Sequence, residues 1–569
     1  MNELIEIIKS LKIPEEYRLY LQAFFSVWFI LSILSFFYLI ERRRVILFIL
    51  FLFIFPILYS LPVIAFIKVL SIGVFRIKLR LPERKMPVIQ VPEAFQLSMT
   101  NGTTINVANP FRGVFVTGGA GAGKSQSIIV PLIYQSIEKN YTGLLYDYEN
   151  PVLARHVWTA FNDASSNVKC YFINFKDLSK SHRLNPLDPR FMTNSSYARE
   201  YSTTIMSNLN PESIEKKDFW IRSAEIMFAS VQWFLREEHP QYCTLPHAVS
   251  LMLTDNIPQL IEVISTNDEC AGMVASIKAG LKSENQTAGV MATVQNAISG
   301  INTPEIFWVF SGSDLTLDLN NPDMPKFLTI GNEPTLVDTY SPVISLVVSA
   351  ALKLMNQQDR QHSIVMVDEL PTIYIPNLER LPATARKNKI ATVLCVQDFS
   401  QLEDKYGEKK TEIITSVLAN QFFGKTTNPK TAERISKIYG KHDMEFVTRS
   451  HSQSEGHSTG GPISFGSDSR GKSYTESTMI QERDRVKAQE LGNLNTGEFY
   501  GTLVDNDIQE FKGMFIEELH ETAEVGSFTT VSESEIKANF KKIKEEALSI
   551  LDGRSGKGSN EEVYVTLED

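Results

Sequence analysis

The sequence predicts an α/β protein with a mainly parallel sheet, and three features of the 569-residue chain lead to this prediction. Short apolar runs typical of strands alternate with helical patterns after residue 110, which is the arrangement that produces parallel sheets. A glycine-rich motif at residues 118–125 follows one of these runs and opens a helix. The first 75 residues differ, because two long uncharged runs there indicate a two-helix transmembrane hairpin in front of the α/β body.

Each of the two N-terminal apolar runs is long enough to cross a bilayer. Leu21–Ile40 is 20 residues without a charge, and Val45–Ile67 is 23 residues without a charge, whereas about 20 apolar residues span the hydrocarbon layer as a helix. The tip of the pair carries three arginines, Arg42–Arg44, and they are outnumbered by the flanking residues Lys9, Lys12, Arg18, Arg76, Lys78, Arg80, Arg84 and Lys85. Because positive residues are retained on the cytoplasmic side, we expect both flanks in the cytoplasm.

The glycine-rich motif has the sequence of a phosphate-binding loop (P-loop). Gly113–Thr117 is typical of a strand, residues 118–125 fit G-x-x-x-x-G-K-[ST], and a helix is expected to start at Gln126. Glycines let the backbone wrap around phosphates, and the helix N-terminus adds a favourable dipole. We expect Lys124 to reach the β- and γ-phosphates of ATP and Ser125 to bind Mg²⁺. The predicted nucleotide-binding residues are Gly118, Gly119, Ala120, Gly121, Ala122, Gly123, Lys124 and Ser125.

A second motif supplies the acids that hydrolysis requires. Ser363–Val367 is a hydrophobic strand pattern, and two carboxylates, Asp368 and Glu369, follow it directly. Ligands of open α/β sheets lie at the carboxyl ends of the strands, so this pair is expected beside the P-loop. Asp368 would hold Mg²⁺ through water, and Glu369 would act as general base toward the attacking water.

The next strand pattern, Ile390–Val396, ends at Gln397, and a basic turn precedes it. The Gln397 amide at the strand end is predicted to sense the γ-phosphate or to position water. Arg386 in the preceding turn is a candidate finger that reaches the nucleotide of a neighbouring subunit. A polar strand cap and a solvated basic turn are the alternative interpretations of these two residues.

The remaining patterns divide the chain into five parts. Residues 195–320 show mainly helical patterns and are too long for a simple strand connection, so we interpret them as an inserted all-helical domain. Residues 449–478 are rich in serine and glycine without apolar periodicity, which predicts a mobile loop or long surface excursion. The predicted parts are a transmembrane hairpin (1–75), the first part of a nucleotide-binding domain (76–194), the helical insert (195–320), the second part of the nucleotide-binding domain (321–520), and a C-terminal helix with a flexible tail (521–569).

The composition limits the classes of function. Hydrophobic residues make up 43% of the chain and charged residues 21%, which is ordinary for a globular body. The net charge of -10 counts against nonspecific coating of DNA, but it is compatible with a local basic channel. The four cysteines have no metal-binding spacing, and scattered reduced thiols are typical of the cytosol.

These motifs together resemble the TraG/TraD-type coupling proteins of type IV secretion and conjugation systems. The likeness covers about Pro110 to Glu518. Relatives often have a sizeable periplasmic loop between their spans, whereas only Glu41–Arg44 is available here, and Ala385 replaces the first glycine of a Gly-Arg-Lys element. The passages that carry the resemblance are Gly123–Leu132, Arg183–Pro189, Lys217–Trp220, Asp368–Thr372, Ala385–Lys387, Val396–Leu402, Tyr406–Gly407 and Leu494–Phe499.

The resemblance implies a RecA-like P-loop core that carries an all-helical domain. It also implies homo-hexameric rings at the bacterial inner membrane, with the ATPase domain in the cytoplasm. Such a ring recruits a relaxase–DNA complex, or protein substrates, and feeds them to the secretion channel. Arg386 matches the arginine of the Gly-Arg-Lys element and Gln397 matches the sensor glutamine of the family.

Three functions remain open at this point. The leading hypothesis is a conjugative motor that moves single- or double-stranded DNA without sequence preference, with Lys387, Lys389, Lys425 and Lys430 as candidate cations. The alternative is a protein-secretion ATPase of the same fold that does not handle DNA, which the acidic net charge permits. A membrane scaffold that binds nucleotide without turnover is the third, and the Glu369 carboxylate argues against it.

Overall fold

The computed structural model describes residues 94–553, apart from residues 215, 217, 281–283, 458–467 and 518–519. All of these lie in one compact unit, Met86–Asp569. The predicted transmembrane hairpin and most of the predicted C-terminal tail therefore lie outside the described residues.

A nine-stranded sheet forms the centre of this unit, with the strand order β13-β12-β9-β3-β8-β7-β4-β6-β5. All strands from β9 to β5 in this order pair in parallel, and only β12 and β13 at one edge are antiparallel. The predicted α/β P-loop core with a mainly parallel sheet is therefore confirmed. The strands are β1 (Phe95–Ser98), β2 (Thr104–Val107), β3 (Val114–Thr117), β4 (Thr142–Asp147), β5 (Lys169–Ile173), β6 (Lys326–Gly331), β7 (Ser363–Val367), β8 (Ile390–Val396), β9 (Asn420–Phe423), β10 (Lys441–His457), β11 (Asp468–Asp484), β12 (Glu498–Thr502) and β13 (Glu510–Met514).

Helices cover the sheet, and they also form most of the segment between β5 and β6. The α-helices are α1 (Val130–Glu138), α2 (Val152–Asp163), α3 (Ser195–Leu209), α4 (Phe219–Glu238), α5 (Leu245–Met252), α6 (Ile257–Ile264), α7 (Asp268–Met273), α8 (Ala275–Gly280), α9 (Glu284–Ser299), α10 (Pro304–Phe310), α11 (Val337–Met355), α12 (Leu381–Ala385), α13 (Phe399–Tyr406), α14 (Glu408–Val417), α15 (Pro429–Tyr439), α16 (Ala488–Gly492) and α17 (Glu533–Leu551).

The central strands are apolar on both faces because helices cover both sides of the sheet. Every residue of β3, β7 and β8 is buried, as is typical of parallel strands in α/β proteins. Polar groups therefore appear where these strands end, and the ends of the three neighbouring strands carry the P-loop, the acidic pair and Gln397.

Local capping signals start helices in and around the helical segment from α3 to α10. The Asp218 carboxylate accepts a hydrogen bond from Ile221 N at the start of α4, as is typical of an N-cap residue. Helix α17 has a capping box between Ser532 and Glu535 and packs on α5 and α10. The C-terminal helix thus acts as a packing element of the helical segment.

The described part of the serine- and glycine-rich segment is a surface excursion made of two paired strands, which the sequence analysis did not predict as strands. Strands β10 and β11 pair antiparallel over their whole length in a separate two-stranded ribbon, and the described side chains of both strands are exposed. Arg449 pairs with Glu476, and His451 stacks on Tyr474 across the strands. In such a ribbon the backbone groups of the two strands form hydrogen bonds with each other, and no apolar face is buried. The apolar alternation that marks ordinary strands is therefore absent from its sequence.

One helix in the described part of the chain is long and apolar enough to cross a membrane by length and composition. This helix, Pro334–Met355, includes α11, and 67% of its apolar window is buried inside the fold. It belongs to the hydrophobic core and packs against α3.

Candidate active site

The P-loop lies between β3 and a helix that begins with a π-helical turn, Ser125–Ile129, before α1. Gly123 has φ of 89°, a conformation that side chains other than glycine rarely adopt. Lys124 is buried, and its Nζ donates to Gly118 O at 2.5 Å across the loop. The loop thus binds its own lysine side chain. An incoming phosphate would replace Gly118 O as the partner of the Lys124 ammonium group.

The structure brings the acidic pair next to this loop. Ser125 Oγ donates to Asp368 Oδ1 at 3.4 Å, although the two residues are far apart in sequence. Two oxygen ligands at this spacing suit the octahedral coordination of Mg²⁺, directly or through one water. The donor set therefore fits magnesium, which when bound neutralises charge on the nucleotide phosphates.

Glu369, the second acid of the pair, is a buried carboxylate with 6% of its surface exposed. Its Oε1 accepts a hydrogen bond from Gln397 N at 3.3 Å. Burial raises the pKa of Glu369 to about 7 and that of Asp368 to about 6, and the Lys124 ammonium only partly offsets this. A general base works best with a pKa near the working pH, so Glu369 has suitable proton affinity.

Gln397 follows β8, which lies between the P-loop strand β3 and the acid strand β7. Gln397 and Glu369 both line a cavity of about 390 Å³, together with Gln401 and Lys405 of α13 and Tyr148 beyond β4. The arrangement leaves room next to the carboxylate for water.

Arg386 does not join the other predicted site residues. It is exposed and follows α12, at the start of β8, whereas Gln397 lies at the end of that strand. Seven residues of strand, Ile390–Val396, correspond to about 23 Å. Because β8 separates Arg386 from Gln397 by this length, Arg386 cannot contact the nucleotide site of its own chain. A catalytic role of Arg386 therefore requires a second subunit. Lys387 and Lys389 lie at the same end of the sheet as Arg386.

Asp147 is a site residue that the sequence analysis missed. It ends β4, next to β7, and Oδ2 accepts from Leu153 N and Ala154 N at 3.0 and 2.9 Å. Burial raises its pKa to about 7, and the neighbouring charge of Asp368 contributes. A strand pattern ending in an acid was the available signal, because parallel strands gather such residues at one edge.

The segment after Glu369 is held by residues that no motif indicated. Thr372 Oγ1 donates to Glu369 O and is 2.7 Å from the Tyr146 hydroxyl. Buried Asn208, at the end of α3, bonds both Tyr374 N and Tyr374 O at 2.8 Å. The segment after Glu369 is therefore fixed to the first helix of the helical segment.

The fold and this site are those of the P-loop nucleotide-binding class. The family described as type IV secretory system conjugative DNA transfer matches residues 77–498. The chain belongs to that family, and the resemblance to TraG/TraD-type coupling proteins is confirmed.

Individual relatives agree with this assignment. The coupling protein TraD of Escherichia coli (strain K12) is 25% identical over 338 residues, which cover 56% of this chain and 43% of TraD. The chain thus spans less than half the length of that relative. The unbound conjugative coupling protein TrwBdeltaN70 has a TM-score of 0.59 at 15% identity, covering 78% of this chain and 93% of that structure. TrwB in complex with ADP and Mg²⁺ has a TM-score of 0.56 at 15% identity, over 75% and 90%.

The raised carboxyl pKa values predict how activity depends on pH. Because the pKa of Glu369 is about 7, the base gains its charge only as pH rises through that value. We expect kcat/KM for ATP hydrolysis to rise about tenfold per pH unit below 7 and to level off above it. Bound Mg²⁺ lowers the pKa values of neighbouring carboxyl groups. The rise of kcat with pH is therefore expected at lower pH than the rise of kcat/KM.

Steady-state ATPase assays between pH 5.5 and 8.5 measure both profiles. In the Glu369→Gln variant, kcat/KM of the residual activity is expected not to rise with pH between pH 5.5 and 7. A wild-type kcat/KM that does not change between pH 5.5 and 8.5 would contradict the raised pKa of Glu369.

Proposed function

We propose that the protein is an ATPase of the bacterial inner membrane that drives DNA through a type IV secretion channel during conjugation. The main support is the 3.4 Å approach of the Ser125 hydroxyl to Asp368 in a chain of the conjugative DNA transfer family. The complex of TrwB with ADP and Mg²⁺ supports ATP and Mg²⁺ as the ligands of this site.

Each residue of the site has a separate role in this proposal. The P-loop amides and Lys124 bind the β- and γ-phosphates, while Ser125 and Asp368 hold Mg²⁺. Glu369 takes a proton from the attacking water, and its pKa of about 7 matches that task. Gln397, whose backbone bonds the Glu369 carboxylate, positions the water or senses the γ-phosphate.

The working unit in this proposal is a homo-hexamer anchored by the N-terminal hairpin, with the ATPase domain in the cytoplasm. Arg386 lies at the far end of β8 from its own site, so it acts only on the nucleotide of a neighbouring subunit. The helical domain proposed for residues 195–320 and the channel between subunits receive the relaxase–DNA complex and pass it to the secretion channel.

ATP hydrolysis by the full-length protein in detergent, with and without DNA, tests this function. We expect single- or double-stranded DNA to raise the rate at 50 mM salt, and the increase to disappear by about 200 mM salt because phosphate contacts release counterions. Specific activity is expected to rise with protein concentration in the wild type and to stay low at every concentration in Arg386→Ala.

Two results would contradict the proposal. DNA that neither binds nor stimulates at low salt would favour the protein-secretion ATPase, for which the net charge of -10 is the supporting observation. Specific activity that does not depend on concentration would remove Arg386 from the mechanism.

A further inference from the structure

The outer side of the P-loop is bonded by two segments that are distant in sequence. Gly119 N donates to Lys425 O at 2.8 Å, just after β9. On the other side, Thr496 Oγ1 donates to Gly121 O and Gly497 N donates to Ala122 O, both at 3.0 Å. The loop is therefore clamped between the end of β9 and the segment before β12, Leu494–Gly497, which we call the closing segment.

Bonds to the outer carbonyls determine where the inner amides of the loop point. A trans peptide unit is planar, with its C=O and N–H pointing in opposite directions. Holding Ala122 O on the outside thus turns Gly123 N–H toward the inside, where a phosphate would lie. The Thr496 hydroxyl holds the preceding peptide through Gly121 O, and the N–H of that peptide, on Ala122, donates to Gly119 O at 3.1 Å inside the loop. The closing segment therefore fixes both the internal turn of the loop and the amide that follows it.

Glycine is favoured at both contact positions, at Gly123 by close backbone approach and at Gly497 mainly by its backbone conformation. A Cβ on Gly123 would lie 2.7 Å from Gly497 N, and a Cβ on Gly497 would lie 3.2 Å from Ser127 Oγ. Gly497 also has φ of 77°, which favours glycine. Its carbonyl accepts from Phe515 N at 2.9 Å, so the segment is itself anchored to the strand that follows β12.

We infer that the closing segment is a positioning element of the nucleotide site, with the Thr496 hydroxyl as its positioning group. The inference rests on the proposed function, in which the loop binds the phosphates of ATP. It assigns a role to a passage that the sequence analysis noted only as part of the family resemblance.

Thr496→Val tests this role because it removes the hydroxyl and keeps the side-chain shape. One lost hydrogen bond to the loop is expected to weaken binding of a fluorescent ADP analogue and of Mg-ATP about three- to tenfold. Both nucleotides are affected alike, because the loop cradles phosphates that they share. The kcat at saturating ATP and the Tm are expected to stay at wild-type values, since Thr496 is exposed.

Two further variants separate positioning from a general effect on the fold. Thr496→Ser keeps the hydroxyl and is expected to bind like wild type. Thr502→Val makes the matched change at the other end of β12 and is expected to leave binding unchanged. If Thr496→Val binds nucleotide with wild-type affinity, or if Thr502→Val loses as much affinity as Thr496→Val, this inference is overturned while the proposed function stands. A wild-type protein that binds no nucleotide would overturn both this inference and the proposed function.

Discussion

Replacing Glu369 by glutamine is expected to lower the turnover number for ATP hydrolysis by about 10²- to 10⁴-fold while Mg-ATP still binds. The substitution removes the group that accepts the proton of the attacking water and changes the side-chain volume very little. Glutamine retains an oxygen that can accept the hydrogen bond from Gln397 N. The Lys124 side chain and Asp368 are unchanged, so the phosphates and metal keep their ligands.

Single-turnover hydrolysis and equilibrium binding of Mg-ATP separate these two effects. Glu412→Gln, an exposed position on α14, is the matched control and is expected to turn over at the wild-type rate. Wild-type phosphate release by Glu369→Gln would exclude Glu369 as the base and would support a nucleotide-binding scaffold.

Replacing Lys124 by alanine is expected to lower kcat/KM for ATP by about 10²- to 10³-fold, mainly through transition-state stabilisation. Lys124 Nζ lies at the mouth of the loop, 2.5 Å from Gly118 O, and no other residue of the predicted loop carries a positive charge. Its removal also raises the pKa values of Asp368 and Glu369 further, because the ammonium lowers both. The ascending limb of kcat/KM should therefore move to higher pH in this variant.

Lys387→Ala is the control for Lys124→Ala, because Lys387 is exposed and lies at the opposite end of the sheet. It is expected to retain ATP hydrolysis in the absence of DNA. Comparable loss in both lysine variants would show that overall charge, and not the position of Lys124, controls the rate.

The motifs next to strand ends were predictable because they are local. The P-loop and the pair Asp368–Glu369 each follow a short apolar run, and parallel strands deliver their ends to one edge. Neither motif predicts that β8 lies between β3 and β7 in the sheet. Strand order depends on which surfaces pack together over the whole chain, and so it came from the structure.

The elements that were missed depend on partners remote in sequence. Asn208 holds Tyr374 through both of its backbone groups, and Thr496 holds Gly121, yet each is an ordinary polar residue locally. The ribbon of β10 and β11 was missed because pairing between two polar strands leaves no apolar period. For Arg386 the opposite holds. Its motif could be recognised in the sequence, but its distance from Gln397 became known only from the structure.

The sequence by itself predicted the groups on which the proposed chemistry depends: a phosphate loop, two acids and an amide at a strand end, each recognised by residue type and spacing. The tertiary structure alone decided which groups meet and which partners hold them. The physical reason is that strand ends are specified locally by apolar runs, whereas buried hydrogen bonds between distant segments form only when the whole core has packed.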